Sequence, residues 1–297
     1  MKIKGIDPAI CTSCLECAKA CPAGLFSLNG ERGEEKREIT RKDPNGWCTG
    51  CGHCIRACPR NAIQYVSDEM AEEFEGVQDP PSLCSYDTLL KVMKSKRSVR
   101  NYRDEKVPQS KIEAILEAMK YAPTGHNLQV NHYVVVRDPE KIRSIIDATV
   151  RGFYRFKKIV KLRKLLKPFL NKHMYAIIDD PGLSAGLDEL ILSYLQGKDP
   201  ILHSAPVIII SYYPSLGPLS LLDPTIAFTY GMLAAHTLGL GTCWIGFAIQ
   251  VLYKNRRLKR YLEIPKEMIV SGVMTLGYPS VKYYRIPLRE QSKVKWY

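Results

Sequence analysis

The chain has 297 residues, 43 of them Lys or Arg against 30 Asp or Glu, for a net charge of +13. Hydrophobic residues at 45% and charged residues at 25% are ordinary globular usage and exclude a disordered, collagen-like or low-complexity chain; the length suggests about two domains of roughly 150 residues. No apolar run approaches the ~20 residues of a membrane helix, and Met1–Asp7 lacks the apolar core of a signal peptide, so the expected address is the cytoplasm.

Eight of the ten cysteines fall in two runs. Cys11, Cys14, Cys17 and Cys21 precede Pro22; Cys48, Cys51, Cys54 and Cys58 precede Pro59. Both runs read C-x2-C-x2-C-x3-C-P, and each cysteine of the first recurs 37 residues later, an internal duplication. Three thiolates so spaced wrap a loop around three irons of a cubane, and the fourth cysteine leads away to the other cluster. The expected sets are Cys11, Cys14, Cys17 and Cys58 on one [4Fe–4S] cluster and Cys48, Cys51, Cys54 and Cys21 on the second. Zinc also takes thiolates and disulfides are a third reading, but zinc pairs are spaced more widely and a reducing compartment disfavours disulfides. On these residues, 1–66 resembles the bacterial-type two-cluster ferredoxins, with a long surface loop from Asn29 to Pro44 between the repeats. His53, between ligands, is expected to be a local structural residue. Cys84 reads as a free thiol and Cys243 as packed core.

Residues 67–84, acidic and Pro-terminated over Ser67–Pro81, read as a linker. Charge changes sign there: residues 1–83 hold 10 basic and 13 acidic residues, and 84–297 hold 33 and 17. An acidic module beside a basic one can be oriented electrostatically; two modules of different history would look the same.

Beyond the linker, Ser85–Ser95 reads as a helix. Ile112, Ile115, Leu116 and Met119 form a helical stripe, with Ser110 and Glu113 as a capping box. His132–Arg137 is a strand, and Asp138-Pro139 caps a helix. Arg151–Lys172 holds nine Lys or Arg, no acid, and apolar residues at Phe153, Phe156, Ile159, Leu162, Leu166 and Phe169. That is a basic amphipathic helix, bent or ended near Pro168. It reads as a lid over a substrate pocket, a solvated surface helix or, with less support, a membrane-surface helix; nothing supports nucleic-acid binding. Val207–Tyr213 is a strand, Asp223-Pro224 caps a helix to about Leu238, and strands follow near Thr242–Gly246 and Ile269–Leu276. The class is α+β.

Four segments of this second module stand out. Lys96-Arg97-Ser98-Val99-Arg100 matches a phosphate group, though a lone cluster of this kind would read as a solvated turn. Pro123-Thr124-Gly125-His126-Asn127-Leu128-Gln129 is a polar loop between helix and strand. Gly239–Gly246 follows the small-residue helix. Gly277-Tyr278-Pro279 leads to Lys282 and Arg285.

In that order the four segments resemble the FMN-dependent nitroreductase family, over roughly residues 85–290. The resemblance implies a central, mainly antiparallel sheet flanked by helices, within residues 85–297, residues 151–205 being a variable lid. It implies FMN, its phosphate and ribitol held by Lys96, Arg97, Ser98 and Arg100, with Arg285 and Lys282 late in the chain. It implies that Pro123, Thr124, Gly125, Asn127 and Gln129 reach the flavin from a partner subunit, and that the backbone at Ile245 and Gly246 meets its N5 edge. Family members are usually homodimers, and the Asp223–Leu238 helix, with Ala227, Gly231, Ala234 and Ala235, looks like the interface helix. Two departures stand out: Ile245 replaces an acidic residue of many members, and Gln129-Val130-Asn131 replaces Gln-Pro-Trp. His126 either touches substrate or is structural, and His236 is core or interface. There is no dinucleotide G-x-G-x-x-G, so any NAD(P)H would bind at the flavin face.

The expected function is an iron–sulfur flavoprotein oxidoreductase. Electrons would pass from the two clusters to FMN and on to a small electron-poor acceptor, a nitroaromatic, a quinone or an activated double bond. Covalent attachment raises the effective concentration of an electron donor, so the clusters argue for a low-potential one-electron donor or for electrons leaving the flavin the other way, the candidate donors being an external ferredoxin and NAD(P)H. The alternatives are an NAD(P)H-dependent reductase whose clusters are an outlet, and a non-catalytic carrier that docks on a redox enzyme. The reacting chemistry resides in the flavin, and no catalytic side chain is assigned.

Overall fold

A computed structural model describes residues 1–29, 38–215 and 222–297. The chain divides into two compact units, Met1–Ser85 together with Thr124–Leu128, and Tyr86–Pro123 together with Gln129–Tyr297.

The first unit runs β1 (Lys2–Ile6), α1 (Glu16–Ala20), β2 (Phe26–Asn29), β3 (Glu38–Arg41), α2 (His53–Ala57), β4 (Ile63–Val66) and α3 (Pro80–Leu83). β1 pairs antiparallel with β4, and β2 with β3. The expected loop over Asn29–Pro44 is therefore partly a ladder, Phe26 facing Arg41 and Asn29 facing Glu38; 30–37 lie outside the described residues. Ile3, Leu25, Phe26, Ile39, Ile55 and Ile63 form one small core with Cys17 and Cys54. So few apolar side chains make a marginal core, and bound metal is a usual supplement at this size.

The second unit runs α4 (Tyr86–Ser95), α5 (Gln109–Lys120), β5 (His132–Val136), α6 (Pro139–Lys161), α7 (Arg163–Leu166), α8 (Lys172–Asp179), α9 (Pro181–Leu195), β6 (Val207–Tyr213), α10 (Asp223–Thr237), β7 (Gly241–Trp244), α11 (Gly246–Lys254), α12 (Arg256–Tyr261) and β8 (Ile269–Gly277). One sheet, in the order β5-β6-β8-β7, is antiparallel throughout. Alternation along β6 explains its run of apolar residues: Ile208 and Ile210 pack with α6, α9 and α11, while Val207 and Ile209 pack with α5 and α10. Helices cover both faces, so this antiparallel strand is apolar on both sides, a pattern usual for parallel sheets. The fold is α+β.

Several local expectations are corrected. The capping box does not form, because α5 begins two residues earlier, with Pro108 at the cap; Ser110 falls inside the first turn, and Glu113 accepts from the Gln109 side chain at 2.8 Å. Asp138 does cap α6, accepting from the Glu140 and Lys141 N–H groups at 2.7 and 3.1 Å. Asp223 does not cap α10; Leu222 occupies the cap and Asp223 lies in the first turn, where a carboxylate complements the helix dipole. β7 ends at Trp244, and Ile245 caps a new helix, α11, which buries Ala248 and Leu252.

The basic helix is not an element of its own. α6 continues from Asp138 through to Lys161, breaks at Leu162, and Pro168 falls in a 3-10 turn, Lys167–Phe169. Phe153 is buried and meets the Phe247 ring edge-on at 5.0 Å, but Ile159, Leu162 and Phe169 are exposed. Acids come from neighbouring elements: Lys157 pairs with Asp188 of α9, and Arg163 with Asp179 of α8 at 2.7 Å. The small residues of α10 are also used within the unit. Ala227, Gly231 and Ala235 are buried on the side of α5, where a Cβ on Gly231 would stand 2.6 Å from Met119 Cγ. They accommodate a helix of the same chain. Among the described residues no helix is long and apolar enough to cross a membrane.

Candidate functional site

In the first unit the duplication is written into the backbone. Ser13 and Gly50, Leu15 and Gly52, and Gly24 and Asn61 correspond across the 37-residue offset, and all six are left-handed, with φ between 52° and 74°. Non-glycine residues seldom adopt this conformation, so Ser13, Leu15 and Asn61 follow a shape set by the loop. The fourth cysteines match as well. Cys21 (φ −81°, ψ 110°) and Cys58 (φ −82°, ψ 109°) end α1 and α2 in extended backbone. The Leu25 N–H donates to Cys21 Sγ at 3.5 Å, and the Ala62 N–H to Cys58 Sγ at 3.2 Å.

Two cavities result. Cys11, Cys14, Cys17 and Cys58 line one, with Ile6, Thr12, Ile39 and Arg60. Cys21, Cys48, Cys51 and Cys54 line the other, with Arg41, Trp47, Thr49, His53 and His126. The geometry thus brings together three cysteines of one repeat and the fourth of the other. All ten cysteines are free. Among the described residues no three His, Cys, Asp or Glu side chains close in on a single ion. Four cysteines line each cavity, which is the thiolate count of a [4Fe–4S] cluster. Burial pushes the Cys54 thiol up to about 11, against backbone N–H donors that lower it, and raises Cys17 too. Such thiols become thiolates when metal replaces the proton, so the donor set fits an iron–sulfur cluster.

Two supports of the second cavity are not assigned to it by the sequence analysis. The Asp43 carboxylate accepts from the Trp47 N–H at 2.7 Å, the Cys48 N–H at 3.3 Å and Arg41 Nη2 at 2.9 Å. Desolvation raises the Asp43 pKa, but these donors outweigh it and hold the carboxyl below its usual range. An Asp a few residues before the cysteines, able to turn the chain through its own side chain, was the available hint. The second support is the segment Thr124–Leu128, which resemblance assigned to the flavin. It belongs to the first unit. Asn127 Nδ2 donates to the Gly50 carbonyl at 3.0 Å and to Thr49 at 3.3 Å, and His126 and Asn127 are left-handed. Pro123 and Gln129 belong to the second unit.

In the second unit the basic segment is fixed by backbone pairing. Ser98 bridges Thr242 of β7, and the Val99 N–H donates to the Thr242 carbonyl at 2.9 Å. Tyr102 bridges Pro279, the Arg103 N–H donates to the Tyr278 carbonyl at 2.8 Å, and the Ser280 N–H to Asn101 at 3.0 Å. Val99 is buried against Gly241, where a Cβ would lie 2.7 Å from that of Val99. This is not a solvated turn. Lys96 is half-buried with its Nζ 3.1 Å from Met232 Sδ, and burial pushes its pKa down. Thr242 Oγ1 is buried and, among the described residues, has no hydrogen-bond partner. A half-buried cation and an orphaned hydroxyl beside Ser98 fit an anionic ligand rich in acceptors and donors, as FMN is.

The remaining predicted residues are distributed unevenly. Ile245 is buried and its N–H donates to the Val273 carbonyl at 2.8 Å. Gly246 opens α11 with open space beside its Cα, and N–H groups of a first helical turn have no partner within the helix. Lys282 and Arg285 lie in an exposed segment after β8. Among the described residues no hydrogen bond or ion pair ties them to Lys96–Arg100. His236 shares a 2.8 Å hydrogen bond with Ser95 Oγ, and Cys243 is buried in the core.

The nitroreductase family model matches residues 93–278, and a 4Fe-4S dicluster domain matches residues 10–63. A Thermus thermophilus protein named NADH dehydrogenase is 28% identical over 196 residues, 65% of this chain and 89% of that one. A Bacillus subtilis FMN reductase [NAD(P)H] is 25% identical over 206 residues, 69% of this chain and 72% of that one. Among solved structures, a nitroreductase with bound FMN from Desulfitobacterium hafniense aligns with a TM-score of 0.53 at 18% identity, covering 70% of this chain and 96% of that one. One from Bacteroides fragilis, also with FMN, aligns at 0.50 and 22%, covering 70% and 98%.

Proposed function

The chain belongs to the nitroreductase family, and from that premise we propose that it is an FMN-dependent iron–sulfur oxidoreductase fed with single electrons by an external ferredoxin and reducing a small electron-poor acceptor. The observation that carries this reading is the pair of four-cysteine cavities, each completed by the other repeat, in the same chain as a nitroreductase fold. A reductase fed by hydride alone has no use for them. When bound, the clusters would supply one-electron storage and transfer, and FMN the conversion between one- and two-electron chemistry.

Residues 1–66 form the cluster module, 67–84 the linker and 85–297 the flavin module, with 151–205 as its variable part. Cys11, Cys14, Cys17 and Cys58 hold one cluster; Cys48, Cys51, Cys54 and Cys21 hold the other. Lys96, Arg97, Ser98 and Arg100 bind the phosphate and ribitol of FMN, with Lys282 and Arg285 contributing late in the chain. The Gly246 N–H, at the start of α11, is the backbone donor to the flavin edge beside Ile245. In a homodimer Pro123, Thr124, Gly125, Asn127 and Gln129 would serve the partner's flavin. Cations there favour an anionic reduced flavin by charge attraction. The acceptor class is a nitroaromatic, a quinone or an activated C=C bond.

A second reading has one observation in its favour: the B. subtilis relative is named as an NAD(P)H enzyme. In it nicotinamide feeds the flavin and the clusters are an outlet. An anaerobic absorption spectrum, taken after NADH, after NADPH and after reduced ferredoxin, separates the two. Bleaching of the flavin band by ferredoxin alone supports the first reading; bleaching by nicotinamide within seconds supports the second. Absence of any flavin band, with no binding of added FMN, overturns both and leaves an electron carrier.

A further inference from the structure

The duplication supplies an internal control for the two cluster sites. Both have the same cysteine spacing, the same left-handed positions and the same N–H···S bond to the fourth cysteine. Thr12 and Arg60 at the first cavity are answered by Thr49 and Arg41 at the second. The imidazoles break the match. His53 stands where the first repeat has Glu16, and its Nδ1 lies 3.4 Å from the Cys51 carbonyl. His126 comes from outside both repeats and lines only the second cavity.

Its placement is built. His126 and Asn127 hold φ of 51° and 54°, a conformation that L-residues keep only where their surroundings enforce it. The Asn127 amide enforces it by donating to the Thr49 and Gly50 carbonyls, in the loop that carries Cys48 and Cys51.

We propose that His126 is a positioning residue for the second cluster, whose imidazole N–H at the rim of the cavity raises that cluster's reduction potential above the first and makes it the electron sink of the pair. The inference rests on the ligation proposed above. Hydrogen bonds to the sulfurs are among the groups that set cluster potentials. A donor interacts more strongly with the reduced, more negative cluster, so reduction becomes easier. Neutral imidazole already carries one N–H, so no change of protonation is involved. Electrons entering at either cluster then collect on the one held by Cys21, Cys48, Cys51 and Cys54.

The test is an anaerobic redox titration of the full-length holoprotein followed by electron paramagnetic resonance. Cys51→Ser marks the second cluster's signal. The wild type should show two midpoint potentials. In His126→Ala the oxidised-to-reduced ratio of the marked cluster at fixed ambient potential should rise about tenfold, about 59 mV for a one-electron couple, while the other cluster stays put. His126→Asn, which keeps an N–H donor and tolerates left-handed backbone, should restore most of the difference. Both potentials unmoved, both moved together, or the unmarked one moved would overturn the inference with the ligand sets intact. Protein reconstituted without any cluster signal would remove the ligation and this inference together.

Discussion

Lys96 offers a test with two effects of opposite sign. Its ammonium is half-buried, contacts Met232 Sδ at 3.1 Å, and among the described residues has no carboxylate partner. Burial lowers its pKa, so in flavin-free protein the charge costs stability. A lysine whose folded pKa is depressed carries that cost in full at neutral pH and sheds it as pH rises through the folded and then the unfolded value. Lys96→Met keeps the length of the side chain and removes the charge. The flavin-free variant should therefore melt no lower than wild type near pH 7, and the gain should shrink at high pH. FMN binding should move the other way. A hydrogen bond to a charged group contributes about 1.5–3 kcal/mol, so the dissociation constant should rise about ten- to a hundredfold. Titration of stripped protein with FMN, followed by flavin fluorescence, measures this, and scanning fluorimetry of the stripped protein measures the other arm. An FMN affinity within twofold of wild type, or a flavin-free variant melting several degrees lower, would refute the reasoning; the second result would make Lys96 an ordinary structural residue.

Three further outcomes follow from the same packing and charge. Gly272→Ala would place a Cβ 1.9 Å from Phe228 Cε2, and Phe228 is fully buried and held edge-on against Trp244 at 5.0 Å. Overpacking of about 1–3 kcal/mol, at roughly 2–4 °C per kcal/mol in a domain of this size, should lower the calorimetric melting of the flavin module by about 3–10 °C; an unchanged melting curve would contradict the packing. Cys84→Ser, at an exposed thiol, should keep the wild-type iron content, whereas Cys14→Ser should lose iron, as measured by chelator assay; equal iron in the two variants would remove Cys14 from the ligand set. Burial pushes the His203 imidazole below its ordinary value, against Asp199 and helped by Arg100. The unfolded chain then takes up that proton before the folded one does, so stability is lost as pH falls below about 6.5. His203→Asn, tolerant of the left-handed φ of 59°, should flatten the melting temperature between pH 7 and 5, and an unaltered pH profile would exclude His203 as its source.

Where the physics is local, the fold was legible. The cysteine spacing and its 37-residue repeat foretold paired loops because each is closed over a few bonds, and backbone conformation repeats with it down to Leu15 standing for Gly52. Val207–Tyr213 was found to the residue, since a β-branched run buried on both faces has few other solutions. Asp138-Pro139 was read correctly for the same reason that Asp180-Pro181, which caps α9 through the Gly182 N–H at 2.8 Å, could have been. Asp223-Pro224 shows the limit of that signal, for the same dipeptide enters α10 one residue deeper. A dipeptide proposes a helix start; the register of the first turn is decided by what buries the residues behind it.

The site residues divide along the same line, and this bears on how the molecule is to be probed. Lys96–Arg100 looks like a solvated turn by itself, and the non-local pairing of Ser98 and Val99 with Thr242 is what buries Val99 and leaves Lys96 half-buried while Arg100 stays exposed. The phosphate subsite proposed for Lys96–Arg100 depends on β7 and β8 being in register, so mutations that loosen the sheet, Gly272→Ala among them, should weaken FMN binding without touching a proposed ligand. Three of the four cysteines at each cavity lie within a few residues of one another, and the fourth, from the other repeat, is placed by the first unit's own fold and not by the register of β7 and β8. Destabilising the sheet should therefore remove flavin first and leave iron in place, and the ratio of flavin to iron in partially destabilised variants measures how far the two sites fold apart. If iron and flavin are instead lost in constant proportion across such a series, the two cofactor sites stand or fall as one cooperative structure, and the division of labour between local and non-local contacts argued from these residues is wrong.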